Sequence, residues 1–219
     1  MIKLRPAALL LVAAVGCSKS GPAGETTDPA STAAAKAASD VTFVRPDFQN
    51  TGSLFLIHAH DALRVGDNET RCLEVFPQPT KAVEFSELPP QFKVSSYRAR
   101  GWETSTMSFG TLLYDGKVAL AMVQEPRADD ERLIAIMSDY QNALGQYFKF
   151  IPGTSARYWF WERGHERLVI VAVKPPKRSM RVTIAIGENS LMDALKLDVT
   201  DAAKDVASAD QLFATQTKG

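Results

Sequence analysis

"FGTLLYDGKVALAMVQ", Phe109 to Gln124, reads as two apolar strands joined by Asp115-Gly116. An Asp-Gly pair suits the two positive-φ positions of a type I′ turn, so the stretch is a β-hairpin. Upstream, "SYRARGWET" from Ser96 to Thr104 alternates Tyr97, Ala99 and Gly101 with Arg98, Arg100 and Trp102, the pattern of a third strand. A Pro-rich connection, Pro77 to Pro90, precedes it and is excluded as a central strand, because proline donates no ladder hydrogen bond.

Downstream of the hairpin, Asp129 to Gln146 reads as a helix. Leu133, Ile136, Met137, Tyr140 and Leu144 recur at three- and four-residue spacing, Asp129, Asp130 and Glu131 sit at the positive end of the dipole, and Gly145 marks the end. Three strands of a meander follow. They are "RYWFWE" (Arg157 to Glu162), "ERLVIVAVK" (Glu166 to Lys174) and "MRVTIAIG" (Met180 to Gly187), separated by a turn at Arg163-Gly164 and a Pro175-Pro176 turn. A short helix, Asn189 to Leu197, closes the domain.

In the last strand Val182, Ile184 and Ile186 face one way and Arg181 and Thr183 the other, which fits a sheet covered on a single side. The expected fold is α+β, with two tandem units of a helix and a three-stranded antiparallel sheet, each sheet covered on one face by its helix. The first unit spans about 62–124 and the second about 128–197 of a module at 41–200, and the polar tail 201–219 frays.

The start of the chain is of another kind. Lys3 and Arg5 precede an apolar run, Ala7 to Val15, too short to span a bilayer but suited to a signal peptide. It leads to "AVGC", Ala14 to Cys17, which resembles a bacterial lipobox and implies an acylated Cys17 after removal of residues 1–16. Ser18, in place of aspartate, resembles an outer-membrane destination. Residues 17–40 then form a tether, because Ser18 to Asp40 is small, polar and Pro/Gly-punctuated and buries too little to offset ordering entropy. Random-coil scaling gives it a reach of roughly 25 to 30 Å.

Composition excludes some functions. The 219 residues are 45% apolar and 23% charged, as in an ordinary globular protein. Losing Lys3 and Arg5 from 25 basic side chains, against 25 acidic, leaves a charge of −2. That balance argues against nucleic acid, which needs a concentrated positive surface. With Cys17 acylated, Cys72 alone remains and no intramolecular disulfide can form.

The stretch "SLFLIHAHDALRVGDNETRCLEVFPQP", Ser53 to Pro79, raises a metal reading and a structural one. His58 and His60 could hold one ion from a strand end, and the pair is similar to the opening of amidohydrolase barrels. A barrel of about 250 residues does not fit the chain, and His165 is the one other histidine. No metal and no cofactor is expected, and the histidines are read as satisfied or solvent-facing.

The second half is more informative. Asn68 can cap a helix, Cys72 and Phe76 with Leu73 form its apolar stripe, and Pro77 stops it. Cys72 then reads as a small core residue. Gly66, Asn68, Cys72, Phe76 and Pro79 also keep the spacing of a motif of the BamE (SmpA/OmlA) family of envelope lipoproteins, with Asp67 for its methionine and Phe76-Pro77 for its Leu-Gly. The resemblance covers residues 62–124. By extension the chain is similar to the β-lactamase inhibitory protein, and this implies two helix-plus-strands units.

Two surface features remain. In "RYWFWERGHERL" Tyr158 and Phe160 share one strand face and Trp159 and Trp161 the other, so a sheet covered on one side exposes one pair. The alternative is that both faces are buried. Lys174, Lys177, Arg178 and Arg181 cluster at a Pro-bearing turn, as a solvated hairpin tip or a contact for anionic lipid headgroups. Acidic pairs such as Glu162 with Glu166 have no nucleophile or metal-type partner nearby, and no phosphate loop, serine elbow or zinc spacing is present.

The expectation is a lipid-anchored envelope protein, not an enzyme, that binds a protein partner through an aromatic sheet face of Trp102, Trp159 and Trp161. Small-ligand or lipid binding in a cleft between the two sheets is the alternative. An enzyme using His58 and His60 is a third.

Overall fold

The computed structural model describes residues 43–59, 61–76, 81–83, 92, 96–175 and 178–216. The expected signal peptide, Cys17, the expected tether, His60 and most of the Pro-rich connection lie outside the described residues. The elements run β1 (Leu56–His58), β2 (Asp61–Leu63), α1 (Glu69–Val75), β3 (Lys81–Val83), β4 (Tyr97–Glu103), β5 (Ser108–Tyr114) and β6 (Lys117–Ala128). Then come α2 (Asp130–Leu144), β7 (Lys149–Ile151), β8 (Ala156–Arg163), β9 (Glu166–Val173), β10 (Met180–Glu188), α3 (Asn189–Ala194) and α4 (Val199–Gln216).

The chain is α+β. Asp115 and Gly116 have φ of 48° and 77°, so the β5–β6 hairpin turns where the Asp-Gly pair requires. Asn68 caps α1 by accepting the Arg71 N–H at 3.0 Å, and Asp129 caps α2 by accepting the Arg132 N–H at 2.7 Å. Gly145, at φ 78°, ends α2.

The strands do not form two three-stranded sheets. β1 and β2 make a separate hairpin, and the other eight strands form one antiparallel sheet in the order β3-β4-β5-β6-β10-β9-β8-β7. β6 and β10 pair from Leu120 with Gly187 to Ala128 with Met180, which joins the halves through the middle. Both strands are apolar on successive residues, Val118 to Val123 and Ile184 to Ile186, as strands buried on both faces are. Each half also gains a three-residue edge strand, β3 or β7. Alternation could not reveal elements that short.

Single-sided cover is likewise corrected. On one face Leu56 and Leu63 of the β1–β2 hairpin, Cys72 of α1 and Ile136 and Tyr140 of α2 pack with Trp161, Ile170 and Ile184. On the other, Leu191 and Met192 of α3 and Ala202 and Val206 of α4 pack with Leu112, Leu120, Phe160 and Val169. Residues 199–216 are therefore a helix docked on β7 and β8, not a frayed tail. Ala202 and Val206 provide its buried i, i+4 contact, and the Asp210 carboxylate accepts the N–H groups of Thr154 and Ser155 at 2.9 and 3.0 Å. Small alanines and aspartates hid that contact in the composition.

Candidate functional site

The three tryptophans are buried, and this overturns the aromatic sheet face as a contact surface. Trp102, Trp159 and Trp161 are 5, 7 and 2% exposed. All three belong to the core beneath α1, α2 and the β1–β2 hairpin. Trp102 packs on Phe76 at 5.5 Å between ring centroids, and Trp159 stacks on Phe150 at 5.1 Å. Trp161 lies against Tyr140 and Tyr147, and its indole N–H donates to the Gly145 carbonyl at 2.9 Å. Tyr158 and Phe160 fill the opposite core, so neither aromatic pair of β8 faces water. The cleft between two sheets loses its premise too, because β6 and β10 are hydrogen-bonded neighbours in one sheet.

His58 rests on aromatic rings. Its imidazole meets Phe109 edge-on at 4.8 Å and Phe76 at 6.4 Å. Burial lowers its pKa from the ordinary value of 6.5, and this outweighs the opposing pull of the Glu125 and Asp61 carboxylates. Asp61 is in turn paired with Arg71 at 2.9 Å. His165 sits on the β8–β9 turn with its Nδ1 3.5 Å from Asp47. Among the described residues no group of three His, Cys, Asp or Glu side chains could hold a metal ion.

Cys72 is a core residue. Its thiol points at the Asn68 carbonyl, 3.9 Å away, and its pKa is pushed up to about 12, first by burial and then by the Asp67 and Glu69 carboxylates. A thiol held protonated in this way is a poor nucleophile.

Of the ionisable groups that matter most to the architecture, sequence singles out only Glu162 and Glu166, and then as an acidic pair without a partner. Glu166 is fully buried and accepts the backbone N–H groups of Leu54 at 2.5 Å and Gly52 at 2.9 Å. Arg167 is buried between Glu162 at 2.5 Å and Asp193 at 2.6 Å, which ties α3 to β8 and β9. Glu188 caps α3 through the Ser190 and Leu191 N–H groups. Arg163 donates to the Leu144 carbonyl at 2.6 Å, at the end of α2. A signal for one of these was present: a two-residue turn at Gly164-His165 sets Glu162 opposite Arg167. The partners of Glu166 come from 112 and 114 residues away and leave no local pattern.

On the surface, Lys174 pairs with Asp130 at 3.1 Å, Arg157 reaches the same carboxylate at 3.6 Å, and Arg178 is exposed. Lys177 lies outside the described residues. Phe148, immediately before β7, is 54% exposed. Its N–H donates to the Phe160 carbonyl at 2.9 Å, and its ring stands 6.4 Å from that of Phe160.

No protein-family model matches the chain, and no curated protein matches it. A crystal structure of a DUF4309 family protein, YjgB, from Bacillus subtilis is similar over 53% of this chain and 76% of its own length, with 14% identity and a TM-score of 0.26.

Proposed function

We propose that this chain is a lipid-anchored module of a bacterial envelope, in the outer membrane, that works by binding another protein and performs no chemistry. The anchor rests on the charged start, the apolar run and "AVGC" ending at Cys17, followed by a tether long enough to hold the folded part off the surface. The non-catalytic reading is supported by the use of the buried charges, since Glu166, Arg167 and Glu188 each join one segment of the fold to another.

The observation that carries the contact reading is Phe148. It is a half-exposed aromatic ring at the outer rim of the sheet, beside the three-residue edge strand β7. An apolar ring next to a strand edge offers a partner both a hydrophobic anchor and backbone hydrogen bonds.

We also infer that the halves are tandem units of one plan. α1 followed by β3 to β6 mirrors α2 followed by β7 to β10, each unit begins its sheet with a three-residue edge strand, and the two last strands meet at the centre. A plan of two helix-plus-strands units is what the resemblance to BamE-like lipoproteins and to the β-lactamase inhibitory protein implies. In it Asn68 and Phe76 take the cap and stop of the first helix.

The test is photo-cross-linking in the native envelope, with the reactive residue at 148 in one variant and at the exposed Ile134 position in another. One defined protein adduct from position 148 and none from 134 is the expected result. No protein adduct from position 148 removes the contact reading. Separately, failure of the wild-type chain to take up labelled palmitate, or its recovery in the soluble fraction with Cys17 intact, removes the anchor.

A further inference from the structure

Arg181 differs from most arginines of the sheet and helices. Arg127 and Arg163 also lack a carboxylate partner, but Arg127 is exposed and Arg163 donates to the Leu144 carbonyl. Arg71, Arg98, Arg100, Arg132, Arg157 and Arg167 each lie within ion-pairing distance of a carboxylate. Arg181 is half-buried, and among the described residues no carboxylate pairs with it. It stands on β10 opposite Val173, on the face away from Val182 and Ile184. Burial and the like charge of Arg178 both disfavour its cation. A guanidinium in that position gains from any anion that reaches it.

Two residues along the same face is Thr183, with Gln124 of β6 directly across from it. Each is 7% exposed, and the two are buried polar side chains of adjacent central strands. The Gln124 amide donates to the Thr183 hydroxyl at 3.1 Å. The hydroxyl therefore keeps its own hydrogen to give, and the amide keeps its second one. Ser108 continues the row on β5, and Glu103 ends it on β4, three strands or about 14 Å from β10. Thr183 and Gln124 thus lie on the same face as Arg181 and within one strand of it, and the Glu103 carboxylate is three strands away. Lys174 adds nothing, because Asp130 already holds it.

We infer that Arg181, with Thr183 and Gln124 beside it and Arg178 at the rim, forms a binding site for a phosphate-type oxyanion. The guanidinium fork matches two phosphate oxygens, and the hydroxyl and amide hydrogens serve others. The anion can come from a lipid headgroup or from free phosphate. The site is independent of the anchor and of the protein contact at Phe148.

The test uses the full chain carrying Cys17→Ser, so that no acyl group contributes to binding. Backbone amide spectra are followed while inorganic phosphate is added. In parallel, sedimentation compares vesicles of phosphatidylcholine with vesicles that also contain phosphatidic acid. Saturable shifts at Arg181, Thr183 and Gln124 are expected, and Arg181→Gln is expected to weaken binding by about tenfold or more, as loss of a charge-assisted pair does. Thr183→Val keeps the shape of the side chain and is expected to weaken binding less, with the same fold in near-ultraviolet dichroism. Binding to phosphatidic acid without binding of free phosphate, again lost in Arg181→Gln, supports the site with the lipid as its source. Absence of both, or binding that persists unchanged in a folded Arg181→Gln protein, overturns it.

Discussion

The buried Glu166 carboxylate grips the Leu54 N–H at 2.5 Å, so β9 of the main sheet fixes the segment that leads into the β1–β2 hairpin. Gly52 adds a second N–H at 2.9 Å to the other carboxylate oxygen. Glu166→Gln keeps the size but replaces one acceptor with a donor aimed at a donor. Hydrogen bonds to a charged group are worth about 1.5–3 kcal/mol, so a loss of that order is expected in urea denaturation. Amide exchange at Gly52 and Leu54 is expected to quicken before the rest of the fold opens.

Gly164 makes a paired prediction with Gly145. Both have positive φ, 56° and 78°. A Cβ on Gly164 would collide with the Asn50 carbonyl, whereas one on Gly145 meets open space. Gly145→Ala is expected to cost about 1–2 kcal/mol from backbone strain alone. Gly164→Ala is expected to cost more, measured as a larger drop in the denaturation midpoint.

The tryptophans test folding, not binding. A buried Trp replaced by a small residue costs about 3–5 kcal/mol, and a domain has about 5–15 in total. Trp159→Ser combined with Trp161→Ser is therefore expected to give an unfolded or aggregated chain by gel filtration. Trp161→Phe, which gives up the bond to Gly145, is expected to fold and lose about 1–2 kcal/mol.

His58 governs mild acid. Its folded pKa lies below the ordinary 6.5, so the unfolded chain binds the proton first and stability falls as pH drops below about 6.5. His58→Phe is expected to flatten that part of the curve. Denaturation midpoints at pH 7.5 and 5.5 for the two proteins decide it.

Cys72 governs alkali. Its folded pKa is raised to about 12, so the unfolded thiol ionises first, and its contribution, complete below about 9, is lost as pH rises from there toward 12. Tyr97, Tyr140 and Tyr158 are shifted upward by burial as well and act in the same direction at higher pH. At pH 8 Cys72 is expected to resist a thiol reagent in the folded chain and to react fully in denaturant. Cys72→Ala is expected to make the alkaline decline shallower.

Local chemistry made much of this fold legible. Asp115-Gly116 located the central hairpin, Asn68 and Asp129 the two caps, and the three- and four-residue spacing from Leu133 to Leu144 the buried stripe of α2. What escaped was set by distant partners. Trp159 and Trp161 alternate in the same way whether α2 covers them or solvent does, and nothing near them tells which. Glu162 and Glu166 looked like an unpartnered acidic pair, yet one meets Arg167 across the turn and the other holds backbone from the far end of the chain. The buried stripe of α4 is built from small residues, Ala202 and Val206, so its docking surface is visible only once β7 and β8 lie beneath it.

The position of β10 orders events in time. It is the last strand among the described residues but a central one in the sheet, wedged between β6 and β9. Until residues 180–188 are free to pair, β6 carries an open row of backbone donors and acceptors next to some of the most apolar side chains of the protein. Neither half can finish ahead of the other, so a growing chain remains adhesive until residues 180–188 are made. A cut just before Met180 would leave two sticky sheets, not one healthy half.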